Sequence, residues 1–392
     1  MNKFFLDLGK QPLANNFLFK YKTNQPKYNL KLFFNTKTKL VSISKRIPSK
    51  VMFNNQYPYK SSMSFTMRNS FKKLALEIKK NFKPKLLLEI GSNDGALIKN
   101  FNKKKVIGVE PCSNLAKITK KLGYITYSKY WNNTTARLLK KKYKKIDLIY
   151  SANTLTHISN LTEVFNSINS VLTKNGILII EDPSLLECFK KNSYDQFYNE
   201  HIYVFSAIAL KNILEKFNFQ IFDIKNLKTH GGSLRYYIKR KHNKKIKIKK
   251  SVNIQFKKEI SFGLSNFSTY KNFATRIISS KNKLINLLNY YKNKKKIIIG
   301  YGATAKATTV LNYCNITNKL IKYFVDTTPE KQNKYMPGTR IKILKYNQKN
   351  IIASDVIFLG AWNFKEEIFY KEKKFFKKGG RFLTHIPSPR II

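Results

Sequence analysis

LLLEIGSNDGALI, residues 86–98, runs from Leu and Ile through a turn holding two glycines and back into apolar residues. The pattern predicts a buried strand, a close turn from Gly91 to Gly95 and then a helix. Glycine lets a backbone approach a ligand, and the N-terminus of the next helix favours a carboxylate or phosphate. VIGVEP (106–111) predicts a second strand ending in Glu110. An acidic residue about twenty positions beyond such a turn can accept hydrogen bonds from both hydroxyls of a ribose. Glu89, Gly91, Ser92, Asp94, Gly95 and Glu110 are therefore candidates for holding a nucleoside-containing cofactor. The spacing is not the GxGxxG of a dinucleotide fold, and an ordinary tight turn is the competing reading of the two glycines.

Working outward, the chain alternates apolar runs with helical stretches, the signature of a mostly parallel sheet with crossover helices. The strand candidates are 86–90, 106–110, 124–127, 147–152, 176–182, 219–224 and 234–239, the last two near a hairpin. A helix over Ser61 to Phe82, closed by Pro84, leads into them. Before it, residues 1–60 have short apolar runs broken by Gly9, Pro12, Pro26 and Pro48, which predicts a small β-rich lobe. After residue 241, apolar positions at helical spacing such as Ile277, Leu284 and Leu288 predict connecting helices. Four further strand candidates follow, in KKIIIGYGATAKA, YFVDTTPEK, DVIFLGAW and GGRFLTHIP. The expected organisation is an α/β chain with a lobe at 1–60, a first Rossmann-like domain at 61–241 and a second at 242–392.

Composition bounds the function. Of 392 residues, 76 are Lys or Arg and 21 are Asp or Glu, a net charge of +55. Hydrophobic residues at 42% supply cores that a disordered basic tail lacks. The charge is mostly Lys spread along the whole chain, whereas nucleic-acid recognition favours Arg forks. No nucleic-acid partner is expected. No apolar run reaches the ~18 to 20 residues that span a bilayer, and Asp7 and Gly9 interrupt the start, so no membrane partner and a cytoplasmic location are expected. Cys112, Cys188 and Cys314 are isolated and form no CxxC pair, which fits a reducing compartment.

Three further stretches carry chemistry. Asn153 and His157 lie just past the strand DLIYSA, where ligands bind in open α/β sheets. YDQFYNEHIYVFS (194–206) puts Tyr198, Glu200 and His201 together, which suits a base with orienting partners, against the alternative of a structural histidine. His230, Gly232 and Arg235 in HGGSLR form a polar turn that can face the same cleft. In IIIGYGATAKATTV (297–310), Gly300, Gly302 and Thr304 precede a helix bearing Lys306, so backbone donors and an ammonium can cradle a diphosphate, with Lys331 and Asn333 beyond the next strand.

These pieces, in order, resemble the three-domain sugar C-methyltransferases, which methylate a carbon of a nucleotide-linked keto-deoxysugar using S-adenosylmethionine (SAM). The resemblance runs through LDLGKQPLANNF (6–17), YPYKSS (57–62), LEIGSNDG (88–95), VEPCSNLA (109–116), ANTLTHI (152–158), YDQFYNEHIYVFS (194–206), HGGSLR (230–235), GYGATAKATT (300–309), DTTPEKQNKYMPG (326–338) and AWN (361–363). It implies a class I methyltransferase domain binding SAM at the Glu89–Gly95 turn, Glu110 and Asn153. It implies a dTDP-sugar enclosed by the outer domains, and His201 as the base, assisted by Tyr198 and Glu200. His157 and Tyr57 or Tyr59 would contact the sugar or its enolate. The family's first lobe usually carries four zinc cysteines. One pair would fall before Met1, and the other position reads Asn35-Thr36-Lys37-Thr38, so no metal and no structural zinc are expected. An RNA or other small-molecule methyltransferase, or a non-catalytic relative, are the alternatives. Oligomeric state is left open.

Overall fold

The computed structural model describes residues 1–44 and 46–392. In chain order the strands are β1 (Asn2–Pro12), β2 (Lys27–Asn35), β3 (Val41–Ile43), β4 (Leu87–Ile90), β5 (Val106–Val109), β6 (Ile125–Tyr127), β7 (Ile146–Ala152), β8 (Leu172–Pro183), β9 (Tyr203–Val204), β10 (Phe219–Leu227) and β11 (Ser233–Arg240). Six more follow, β12 (Ile298–Tyr301), β13 (Tyr323–Asp326), β14 (Lys342–Lys345), β15 (Val356–Leu359), β16 (Arg381–Thr384) and β17 (Arg390–Ile391). They form three sheets.

The central sheet has the order β10-β11-β8-β7-β4-β5-β6. All neighbours are parallel except β11, which runs antiparallel to both β8 and β10. Every residue of β4, β5 and β15 is buried. Strands covered by helices on both faces read as continuous apolar runs, and here LLEI, VIGV and VIFL do so. The helix Phe65–Asn81 is capped by the Ser64 hydroxyl and buries Phe71, Leu74 and Ile78 against one face of this sheet.

The third sheet has the order β14-β13-β12-β15-β16-β17, parallel except for β17. It holds six strands where the sequence pattern predicts four. β14 lies in the polar stretch Lys342–Lys345, where only Ile343 is buried, and β17 is two residues long. Between the second and third sheets run the helices Lys250–Ser261 and Phe267–Asn293. Among the described residues no helix is long and apolar enough to cross a membrane.

The first sheet, β1-β2-β3-β9, is antiparallel throughout. Its last strand comes from the chain just after His201, and Ile43 donates its N–H to the Ile202 carbonyl at 3.0 Å. The turn at Asn35–Thr38 is closed by side-chain bonds: the Asn35 carboxamide oxygen accepts from Lys37 and Thr38 N–H at 3.1 and 2.8 Å. The lobe's apolar face rests on the long helix, with Phe34 stacked on Tyr270 at 4.2 Å and Phe5 edge-on to the same ring at 5.2 Å. Aromatic packing of this kind is a large contribution to lobe docking.

Candidate active site

Ligands in open α/β sheets sit beyond the carboxyl ends of strands where the strand order reverses. The central sheet reverses between β4 and β7, and the third sheet between β12 and β15. Both points open onto one cavity of about 720 Å³, whose wall also takes Asn15, Tyr57 and Tyr59 from the N-terminal segment.

At the first switch point Gly91 has φ +76°, and a Cβ there would stand 2.1 Å from the Thr154 Oγ1 atom. Only glycine fits. The Glu110 carboxylate accepts from the backbone N–H of Asn93 and of Cys112, each at 2.8 Å, which fixes its orientation. Burial raises its pKa, and those two amides offset part of the rise. Glu89 is pushed well above the usual carboxylate range by burial and then by the negative charge of Glu110. Its Oε2 atom and the Ser92 hydroxyl are buried with no hydrogen-bond partner among the described residues. Glu89, Gly91, Ser92, Glu110 and Asn153 all line the cavity, whereas Asp94 and Gly95 are not part of its wall. Asp94 instead accepts from the backbone N–H and hydroxyl of Ser62, and Gly95 (φ +82°) faces the Thr119 methyl.

His201 stands across the same cavity. Its Nδ1 lies 2.7 Å from the Gln196 carbonyl, and its Nε2 lies 2.6 Å from the Tyr198 hydroxyl. A carbonyl only accepts, so Nδ1 carries the proton and Nε2 accepts from Tyr198. Burial, then the neighbouring His157 and Lys306, hold the His201 pKa well below the usual imidazole range, so the ring is neutral near pH 7. His157 stacks on it at 5.1 Å and on Phe53 at 5.2 Å, and burial pushes its own pKa down to about 3. Its Nε2 has no partner among the described residues.

Glu200 is not on the wall. Its carboxylate accepts from the Tyr57 hydroxyl and the Asn15 side-chain amide, both at 2.7 Å. Burial raises its pKa to about 7, and these two bonds keep it from going higher. Tyr57, Tyr59 and Tyr198 face the cavity with phenols raised by burial, Tyr59 to about 12.

At the second switch point Gly302 has φ +84°, and a Cβ would meet that of Ala361 at 2.4 Å. Thr304 caps the helix Ala305–Tyr313: its hydroxyl accepts from Ala307 N–H and donates to the Gly360 carbonyl, both at 3.0 Å. Lys306 and Lys331 line the cavity, and Lys331 already donates to the Ala303 carbonyl at 2.8 Å. Gly300 is packed under the Phe324 ring, and Asn333 sits in a turn with φ +60°; neither is on the wall.

The turn of HGGSLR divides. His230 faces the cavity with φ +51° and a pKa lowered to about 3 by burial and then by Lys306. Gly232 packs on the Glu187 side chain. Arg235 is turned into the sheet, where its guanidinium meets Glu181 at 2.8 and 2.9 Å. The structure also adds residues that the sequence pattern left without a role. Gln196 holds both His201 and, through its side-chain amide at 2.6 Å, the His230 carbonyl. Trp362 donates to buried Asp195 at 2.6 Å.

Comparison with known proteins agrees with this architecture. Residues 62–224 match the methyltransferase domain family, and residues 228–387 match the family described as C-methyltransferase C-terminal domain. The C-methyltransferase NovU of Streptomyces niveus is 30% identical over 312 residues, 78% of this chain and 73% of NovU. The chain belongs to the C-methyltransferase family. This C-methyltransferase is a SAM-dependent enzyme with a class I Rossmann-like α/β fold. Solved structures similar to part of the C-methyltransferase include a SAM-dependent methyltransferase of Thermotoga maritima, 17% identical, covering 45% of this chain and 89% of that one at a TM-score of 0.33. Another is the magnesium protoporphyrin IX methyltransferase of Synechocystis, 14% identical, covering 46% and 86% at 0.34.

Proposed function

We propose that this enzyme methylates the carbon beside the ketone of a nucleotide-linked keto-deoxysugar, with dTDP as the nucleotide. The observation that carries the reading is the Tyr198–His201 pair, a neutral imidazole with its basic nitrogen aimed along a phenol, in the cavity that also holds the Gly91 turn. A carbon next to a carbonyl becomes nucleophilic only after deprotonation, so a buried neutral base is the first requirement.

The turn fits SAM: the unpartnered Glu89 Oε2 and Ser92 hydroxyl are an acceptor and a polar group awaiting a ligand, and Gly91 leaves room for close approach. Glu89, Gly91, Ser92, Glu110 and Asn153 would hold it, with Asp94 and Gly95 shaping the turn. When bound, SAM supplies an electrophilic methyl group. The chain's own work is to make the acceptor carbon nucleophilic and to place it. Because Tyr198 occupies His201 Nε2, the pair acts as a relay: the proton leaving carbon goes to the Tyr198 oxygen while the phenol's proton moves to His201. Gln196 keeps the imidazole in the tautomer that can receive it. Tyr57, Tyr59, His157 and His230 would face the sugar, and Gly302 with Lys331 the nucleotide. The three parts of the chain, residues 1–60, 61–241 and 242–392, each contribute wall to this one cavity.

The test is mass spectrometry of the purified protein with SAM and a panel of dTDP-4-keto-deoxysugars in deuterated water, with RNA as a parallel acceptor. One added methyl on a sugar, and solvent deuterium beside the ketone in the absence of SAM, are expected. Labelled RNA with unchanged sugars would overturn the reading.

The Glu200 carboxyl adds a pH signature. Above about 7 it is ionised and holds the Tyr57 hydroxyl by a charge-assisted bond; below, the neutral acid holds it more weakly. The rate is expected to show an acid-side inflection near pH 7 that Glu200→Gln removes. Tyr57→Phe deletes a donor that favours the ionised form, so it moves the inflection upward. An inflection that survives in Glu200→Gln assigns it to another group.

A further inference from the structure

Lys306 is the residue whose surroundings fit the sequence expectation least. It projects from the first turn of Ala305–Tyr313 into the cavity, is only 9% exposed, and has no hydrogen-bond or ion-pair partner among the described residues. Its helix packs against the short turn Tyr194–Gln196, where Tyr313 meets Tyr194 edge-on at 5.5 Å and the Tyr194 hydroxyl reaches Cys314 Sγ at 3.6 Å. That turn places two groups side by side. Burial lowers the Lys306 pKa, fully buried Asp195 is the negative charge that most opposes this, and Gln196 holds the His201 ring through its carbonyl. Lys306 thus belongs to the reacting end of the cavity, and its charge is felt by both His201 and His230.

Asp195 is itself anchored from the third sheet. Trp362 Nε1 donates to its Oδ2 at 2.6 Å, and His385 Nε2 lies 3.2 Å from the same oxygen, while Oδ1 has no hydrogen-bond partner among the described residues. Burial alone would raise this carboxyl, yet His385, Lys306 and the Trp362 bond together lower it, so it is ionised. An anchored carboxylate beyond ion-pair distance of an otherwise unbonded ammonium is a fixed counter-charge that supports the cation without filling its donor positions.

We propose that Lys306 is the cation that receives the enolate oxygen, with Asp195 as its positioning residue, rather than a holder of the nucleotide diphosphate. This rests on the enolate reading given above. The C–H bond beside the ketone breaks, its proton passes into the Tyr198–His201 pair, and the electron pair moves to the carbonyl oxygen, where the ammonium balances the new charge. Lys306 stays protonated throughout. When the carbon–carbon bond to the methyl group forms, the ketone is restored and the oxygen charge disappears.

The experiment measures deuterium uptake into dTDP-4-keto-6-deoxyglucose without SAM, alongside titrations with dTDP and with SAM. Lys306→Met is expected to slow exchange by about 100-fold or more, the scale of losing one oxyanion donor, with dTDP and SAM affinities within about threefold of wild type. Lys306→Arg, which keeps the charge, is expected to recover most of the exchange. Exchange at the wild-type rate in Lys306→Met together with a tenfold loss of dTDP affinity would overturn the proposal and assign Lys306 to the diphosphate. Absence of exchange in the wild-type protein itself would instead remove the enolate reading, and this inference with it.

Asp195→Asn tests the positioning role. The charges and titratable groups that act on or face Lys306 are Asp195, Cys188, His201 and His230; burial raises Cys188 to about 12 and lowers both imidazoles, so Asp195 is the one ionised group among them. Removing it lowers the ammonium's pKa, so the alkaline limb of the exchange rate moves to lower pH. A residue that only supports the fold would reduce the rate at all pH values and leave the limb in place.

Discussion

His201→Asn is expected to lower both deuterium exchange and methylation by about 10³-fold, at the upper end of what a positioned general base contributes, with SAM affinity held within about threefold. Asparagine can return a donor to the Gln196 carbonyl that Nδ1 now serves, so the local backbone keeps its main tie. Nothing replaces Nε2. The half-buried Tyr198 hydroxyl then loses its acceptor, costing about 1 kcal/mol, which a thermal melt would register separately from activity. Tyr198→Phe is the companion measurement. If His201 acted alone, freeing Nε2 would preserve exchange; with the phenol as the intermediate carrier, exchange falls to a similar degree. Retention of exchange in His201→Asn would move the base elsewhere on the wall.

Gly91→Ala is expected to weaken SAM binding by about 100-fold or more, through two separable costs. A residue with a Cβ in the left-handed region is disfavoured by roughly 1–2 kcal/mol, and Gly91 has φ +76°. The added carbon would also stand 2.1 Å from Thr154 Oγ1 and 2.8 Å from its Cβ, so the turn or Thr154 must move. Thr154 donates to the Ala152 carbonyl at 2.9 Å, which resists that movement. Titration calorimetry of Gly91→Ala and of Gly91→Ala with Thr154→Ala checks the partition. The double variant removes the hydroxyl clash and keeps the backbone cost, so part of the affinity returns. Equal affinity for SAM in wild type and Gly91→Ala would mean that the ligand does not approach this turn.

How much of this was legible in the residues differs from element to element. Strands β4, β5, β7 and β8 of the central sheet were readable because parallel strands buried on both faces leave unbroken apolar runs such as LLLEI and GILIIED. β9 and β17 were not, since a two-residue strand has no period, and β14 carries its alternation in a stretch that otherwise reads as a turn. The cavity-facing residues of the Gly91 turn followed from spacing along the chain. Arg235 did not follow: its charge marked it as a ligand group, while its place in the sheet turns it onto Glu181, 54 positions away. The sequence read Lys306 as a diphosphate-binding group from the glycines before its helix, while Asp195, whose charge acts on it, is distant in sequence. Asp195, Gln196 and Trp362 all lay in quoted motifs, YDQFYNEH and AWN, but only folding shows that they meet.

The pairing of β9 with β3 carries a lesson for recombination. The strand that closes the first sheet leaves the central domain two residues after His201, so the proposed base is tethered to an edge supplied by residues 41–43. A breakpoint near residue 60, natural or made in the laboratory, severs no chain inside that sheet yet separates two of its strands by ancestry. Lobes exchanged between relatives would therefore need to bring a matching edge for Tyr203 and Val204, or the histidine would inherit a foreign frame. Substrate range in such chimeras is then set by the compatibility of a two-residue seam as much as by the lobe that was transplanted.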